Sequence, residues 1–103
     1  MVAGVALIRT APVRFSQSDM ARVARVVERR IRSGMLARYE RQTSPESDTI
    51  MLWHLGQDEP AIRISRDETG WTYFVYCDGK NWKLLASGTT DDCLTVLGEP
   101  DIP

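Results

Sequence analysis

The strongest constraint on the fold is a rhythm of short apolar runs and polar breaks between residues 49 and 87. "TIMLWHL" (49–55) gives way to "GQDEP", "AIRIS" (61–65) to "RDETG", "WTYFVYC" (71–77) to "DGKN", and "WKLLAS" (82–87) to "GTT". Runs of this length, rich in Ile, Val, Trp, Tyr and Phe, suit a pleated sheet, and breaks this short join neighbouring antiparallel strands. Asp78-Gly79 is a hairpin-turn dipeptide. The rhythm predicts an antiparallel meander.

A helix precedes it. Ser16 can cap, Asp19 three residues later completes a capping-box pattern, and Phe15 and Met20 occupy the staple positions around them. At 100° per residue, Met20, Val23, Ala24, Val27, Ile31 and Gly34 share one face, with Arg22, Arg25, Arg29 and Arg32 opposite. Arg30 lies at the edge. Gly34 is a natural C′ residue, and a helix continued in the same frame would put Arg38 in its apolar stripe. The helix therefore ends near Ser33, leaving "MLARYERQ" (35–42) as a strand or extended connection; a helix running to Arg41 is the alternative. "TSPESD" (43–48) has loop composition. "TTDDCLTVLG" (89–98) predicts a short second helix capped by Thr90, with Asp91 and Asp92 at its positive end and Gly98 as its stop. Residues 1–14 are expected to be a strand or arm, broken at Pro12, and 99–103 a frayed tail.

With 103 residues, 43% hydrophobic and 26% charged, the chain has the size and composition of one globular domain. The predicted fold is α+β. One antiparallel meander sheet of four to five strands carries the long N-terminal helix on a face, and a short C-terminal helix follows.

A sheet covered on one face alternates apolar with polar residues. "AIRIS" does so, with Ile62 and Ile64 in and Arg63 and Ser65 out. The other strands do not. Ile50/Leu52 and Met51/Trp53/Leu55 are both apolar sets. Trp71/Tyr73/Val75 oppose Phe74/Tyr76, and Trp82/Leu84/Ala86 oppose Lys83/Leu85. The second face is too apolar to be left to water. It needs a cover: the N-terminal arm with the C-terminal helix, a second copy of the chain, or another protein. Which of Trp71/Tyr73 or Phe74/Tyr76 points outward is left open by the pattern.

Little here points to covalent chemistry. His54 is the sole histidine and has no neighbouring ligand in sequence. Its spacing from Cys77 and Cys93 matches no zinc signature, and the two cysteines read as buried free thiols in a cytosolic chain. The acidic pairs Asp58-Glu59, Asp67-Glu68 and Asp91-Asp92 fall in turns or at a helix start. No phosphate-binding glycine loop or nucleophile elbow is present. No cofactor, metal or catalytic set is expected. The run "VAGVALI" (2–8) is too short to cross a bilayer and makes a poor signal peptide, so a cytoplasmic, membrane-free protein is expected.

Charge is divided unevenly. Residues 1–42 hold nine arginines against Asp19, Glu28 and Glu40, a balance of +6, whereas residues 43–103 hold four basic and eleven acidic residues, a balance of −7. Asp19–Arg22 and Glu28–Arg32 can pair along the helix, while Arg25 and Arg29 repel. The expected function is a small non-enzymatic protein-binding module, an adaptor, inhibitor or chaperone-like regulator, and a homodimer. It would use Arg22, Arg25, Arg29 and Arg32 toward an acidic partner and Trp53, Trp71, Tyr73 and Trp82 for burial. The alternative is nucleic-acid binding along the arginine stripe. A sequence pI near 5.8 argues against that, as does the lack of basic residues interleaved with the aromatics.

Overall fold

The computed structural model describes residues 13–98, so the N-terminal arm and C-terminal tail expected at 1–14 and 99–103 lie almost wholly outside the described residues. Helix α1 (Gln17–Arg32) begins where the capping residues place it. Ser16 Oγ accepts the Asp19 N–H and Asp19 Oδ2 accepts the Ser16 N–H, both at 3.0 Å. Phe15, just before the cap, is 4% exposed and anchors the chain's approach to the helix. Ser33 closes the helix, and Gly34 follows at φ +82°. That left-handed turn costs glycine nothing and lets the chain reverse into a strand. The longer helix to Arg41 does not form.

Five strands follow: β1 (Leu36–Ser44), β2 (Ser47–His54), β3 (Ile62–Asp67), β4 (Thr72–Asp78) and β5 (Asn81–Gly88). They pair antiparallel in the order β1-β2-β3-β4-β5. The meander is as expected, but the loop expected over 43–48 shrinks to the two residues Pro45 and Glu46, with Ser44 paired to Ser47. Hydrogen bonds across the hairpin hold Thr43, Ser47 and Asp48 in strands despite their loop-like composition. Gly79, at φ +71°, is the first central residue of the tight β4–β5 turn.

The chain ends its described part in α2 (Thr90–Leu97). The cap is Thr89, not Thr90: its side chain accepts the Asp92 N–H at 3.1 Å, and Asp92 answers with a bond from the Thr89 N–H. Thr90 is instead buried, and its hydroxyl lies 2.7 Å from that of Thr72.

Both helices lie on one face of the sheet, α1 over β1 and α2 over β4 and β5, and they touch each other. The core between the layers holds Phe15, Val23, Val27, Ile50, Leu52, Ile62, Ile64, Phe74, Leu94 and Leu97. Phe74 is therefore the inward aromatic, and Trp71 and Tyr73 point outward. Because α2 packs against the flank of α1, the buried stripe turns toward it. Val26 and Arg30 are buried, whereas Ala24 and Ile31 are only half-buried. Arg30, expected at the edge, donates to the Leu97 carbonyl at 3.0 Å and so holds the end of α2 against α1. Burial, then the charge of Arg29, lowers its pKa.

Two bulges set which side chains reach the outer face. Leu36 pairs with His54 and Arg38 with Trp53, so Ala37 is the extra residue. Leu36 thus enters the core while Arg38 points the other way. On β5, Phe74 opposes Ala86 and Val75 opposes Leu84, making Leu85 the extra residue. Ala86 turns to the helix side while Leu84 stays on the outer face, against the expectation that Trp82, Leu84 and Ala86 share a side.

Candidate docking surfaces

The four arginines of the stripe line one groove. It runs between α1 and α2, measures about 710 Å³, and has Val26 and Leu94 in its floor. The spacing puts Arg22, Arg25, Arg29 and Arg32 along one flank of α1. The packing of α2 beside that flank turns the flank into a wall. A smaller hollow of about 290 Å³ continues the groove past Arg29 to Met35, whose side chain is exposed.

The four are not equivalent. Arg22 crosses to α2, ion-pairing with Asp91 and donating to Thr95 Oγ1 at 2.9 Å. It is a strap between the helices. The expected Asp19–Arg22 pair is absent because Asp19 is engaged in the cap. Arg25, Arg29 and Arg32 make no side-chain hydrogen bond or ion pair with another described residue, and the expected Glu28–Arg32 pair is not among the four ion pairs of the described residues. Glu28 is the single carboxylate among the described residues of the lining, so these residues together carry excess positive charge.

The second surface is the sheet face away from the helices. Directly opposed residues of antiparallel strands share a face, so the register places Arg38, Trp53, Met51, Arg63, Val75, Tyr73, Cys77, Trp82 and Leu84 together. No described helix or strand covers them; the C-terminal helix lies on the other side, and an N-terminal arm would fall outside the described residues. Trp71, Tyr73, Trp82 and Leu84 are 48%, 39%, 39% and 60% exposed. Trp53 differs at 7%, because Arg38 lies over its ring at 3.8 Å and its indole N–H bonds the Asp58 carbonyl at 3.1 Å. Arg63 lies over the Trp82 ring at 4.5 Å. The aromatics thus do have arginines among them. Only the strand register reveals this, since Arg38 and Arg63 are far in sequence from the rings they cover. The outward position of Arg63 in "AIRIS" was the one available signal.

The remaining candidates are dispersed. Cys93 is wholly buried and its thiol is pushed up to about 11 by burial, then by Asp92. Cys77 is half-buried, its Sγ 3.0 Å from the Gly79 carbonyl. His54 ends β2 beside Leu36. Among the described residues no group of three or more His, Cys, Asp or Glu side chains is placed to hold a metal ion, and no helix is long and apolar enough to cross a membrane.

Comparison with protein-family models, with curated proteins and with solved structures finds no match to this chain.

Proposed function

We propose that the chain is a protein-binding module whose helix groove receives an acidic, partly apolar segment of a partner protein. The observation that carries this reading is the convergence of Arg25, Arg29 and Arg32, without acidic partners among the described residues, over an apolar floor. Planar guanidiniums with unengaged donors suit carboxylates, which they can bind in a two-pronged fork. An exposed arginine–carboxylate pair contributes roughly 0.2–1 kcal/mol, so three supply only about a threefold to hundredfold preference. The rest of the affinity comes from apolar side chains set against Val26, Leu94 and Met35. This acts by docking, with no covalent step.

The groove favours a peptide over a phosphate backbone because Val26 and Leu94 form an apolar floor, which a phosphate backbone has no apolar side chains to match. The test is fluorescence-anisotropy titration with a labelled Leu-containing peptide carrying glutamates at helical spacing, alongside its glutamine counterpart and a duplex DNA of similar charge. The acidic peptide is expected to bind, with at least threefold loss for the glutamine peptide and at least tenfold loss for Arg25→Glu/Arg29→Glu. Equal affinity for both peptides would defeat the proposal. Tighter, salt-sensitive binding of the duplex would transfer the groove to nucleic acid.

A further inference from the structure

We infer that the open sheet face is the contact surface of a homodimer in which a second copy of the chain packs sheet against sheet. Its composition is that of an interface centre. Trp71, Tyr73, Trp82, Met51, Arg38 and Arg63 belong to the residue types enriched where proteins meet, and Glu40, paired with Arg38, is the one carboxylate in the middle of the face.

The two arginines do not spoil the fit. A guanidinium is weakly hydrated for a cation and stacks on aromatic rings. Arg38 and Arg63 each lie over an indole, at 3.8 and 4.5 Å from the ring centroids. They lie along the face rather than standing out from it. Two such faces can approach at the ~10 Å separation of packed sheets.

Area supports the same occupant. Five strands at ~4.8 Å and about six residues at ~3.3 Å give each face roughly 500 Å² in plan, so a pair covers on the order of 1,000 Å², the lower limit for a specific interface. Charge weighs against a single-stranded nucleic acid, the other ligand of aromatic sheets. By the register Asp67 shares the face at its end, so Arg38 and Arg63 against Glu40 and Asp67 leave no net charge, whereas such sites track the backbone with a positively charged groove. A second copy needs no such excess.

The dimer stands apart from the groove reading, since the two surfaces are on opposite sides of the sheet and fail separately. Sedimentation equilibrium from 1 to 200 µM should give twice the 11.6 kDa chain mass for wild type. Tyr73→Glu/Leu84→Glu should sediment as a monomer with an unchanged circular dichroism spectrum. Ser87→Glu, a charge at an exposed polar position opposite Tyr73, should weaken the dimer at least tenfold without risk to the core. Arg25→Glu/Arg29→Glu should stay dimeric. A wild-type monomer at 200 µM overturns the inference, as does a dimer indifferent to both sheet-face variants. Tryptophan quenching by oligo(dT) at 150 mM salt, from a monomeric protein, would give the face to nucleic acid instead.

Discussion

Arg41 grips the buried carboxylate of Asp48 across the first hairpin, its Nε 2.9 Å from Oδ1 and its Nη2 2.5 Å from Oδ2. The Phe15 N–H adds a third bond to the same carboxylate at 2.8 Å. One wholly buried side chain thus ties the approach to α1 to β1 and β2. Removing a member of a buried pair leaves polar groups unmatched. Asp48→Ala should cost about 3 kcal/mol by urea unfolding, whereas Glu46→Ala, in the neighbouring turn, should fall within ~0.5 kcal/mol of wild type.

The same carboxylate makes stability depend on acid. Burial by itself would raise the Asp48 pKa. The Arg41 hydrogen bond, the Phe15 N–H and the charges of Arg41 and Arg14 more than offset it, holding the group below the ordinary carboxylate range. A group depressed on folding contributes its stabilisation above its unfolded pKa, about 3.9, and loses it as pH falls through the lower folded value. The urea-midpoint gap between wild type and Asp48→Asn should be constant from pH 7 to about pH 5 and then close toward pH 2. A gap unchanged at pH 2 would contradict this.

The arginine wall is expected to cost stability. Arg25 and Arg29 are four apart with like charge, so Arg25→Gln should raise stability by a few tenths of a kcal/mol at low salt. Arg22→Gln should lower it by up to ~1 kcal/mol through loss of the Asp91 pair. Thermal melts at 20 and 500 mM salt would show both effects shrinking at the higher salt. Opposite signs at two neighbouring arginines separate the strap from the proposed docking residue.

The two thiols should differ in reactivity. Cys93, buried and pushed up to about 11, holds almost no thiolate at neutral pH. Its labelling by a thiol reagent should follow global unfolding. Cys77, half-buried on the open face rather than buried as expected, should label in the native state and, on the proposed dimer, more slowly as protein concentration rises. Equal native labelling rates at both positions would refute this.

The elements were legible because their signals are local. The Ser16/Asp19 box, Gly34 and the alternation of "AIRIS" each act within a few residues. What escaped the sequence depends on register or on distant neighbours. Ala37 and Leu85 are ordinary side chains, yet as bulges they decide where Arg38 and Leu84 point. Asp48 sits in a run with loop composition, and it becomes a buried anchor only through Arg41, across the hairpin, and Phe15, 33 residues away. Arg30 looked like one more exposed charge until α2 arrived beside it. Of the candidate surface residues, Arg25, Arg29 and Arg32 are exposed as the helical spacing suggested, while Trp71, Tyr73 and Trp82 are exposed on a face that the pattern left open. Arg22 and Trp53 are largely occupied by neighbours that only the fold supplies.

The order of the strands has a kinetic consequence. Every pairing in the sheet joins consecutive strands, so the meander can grow from short loops with little loss of chain entropy. The contacts that close the helix layer are of another kind: Arg22 meets Asp91 across 69 residues and Arg30 meets Leu97 across 67. Contacts this distant in sequence are expected to form last, over a sheet already in place. The Arg22→Gln variant should therefore unfold faster in stopped-flow experiments while refolding at nearly the wild-type rate.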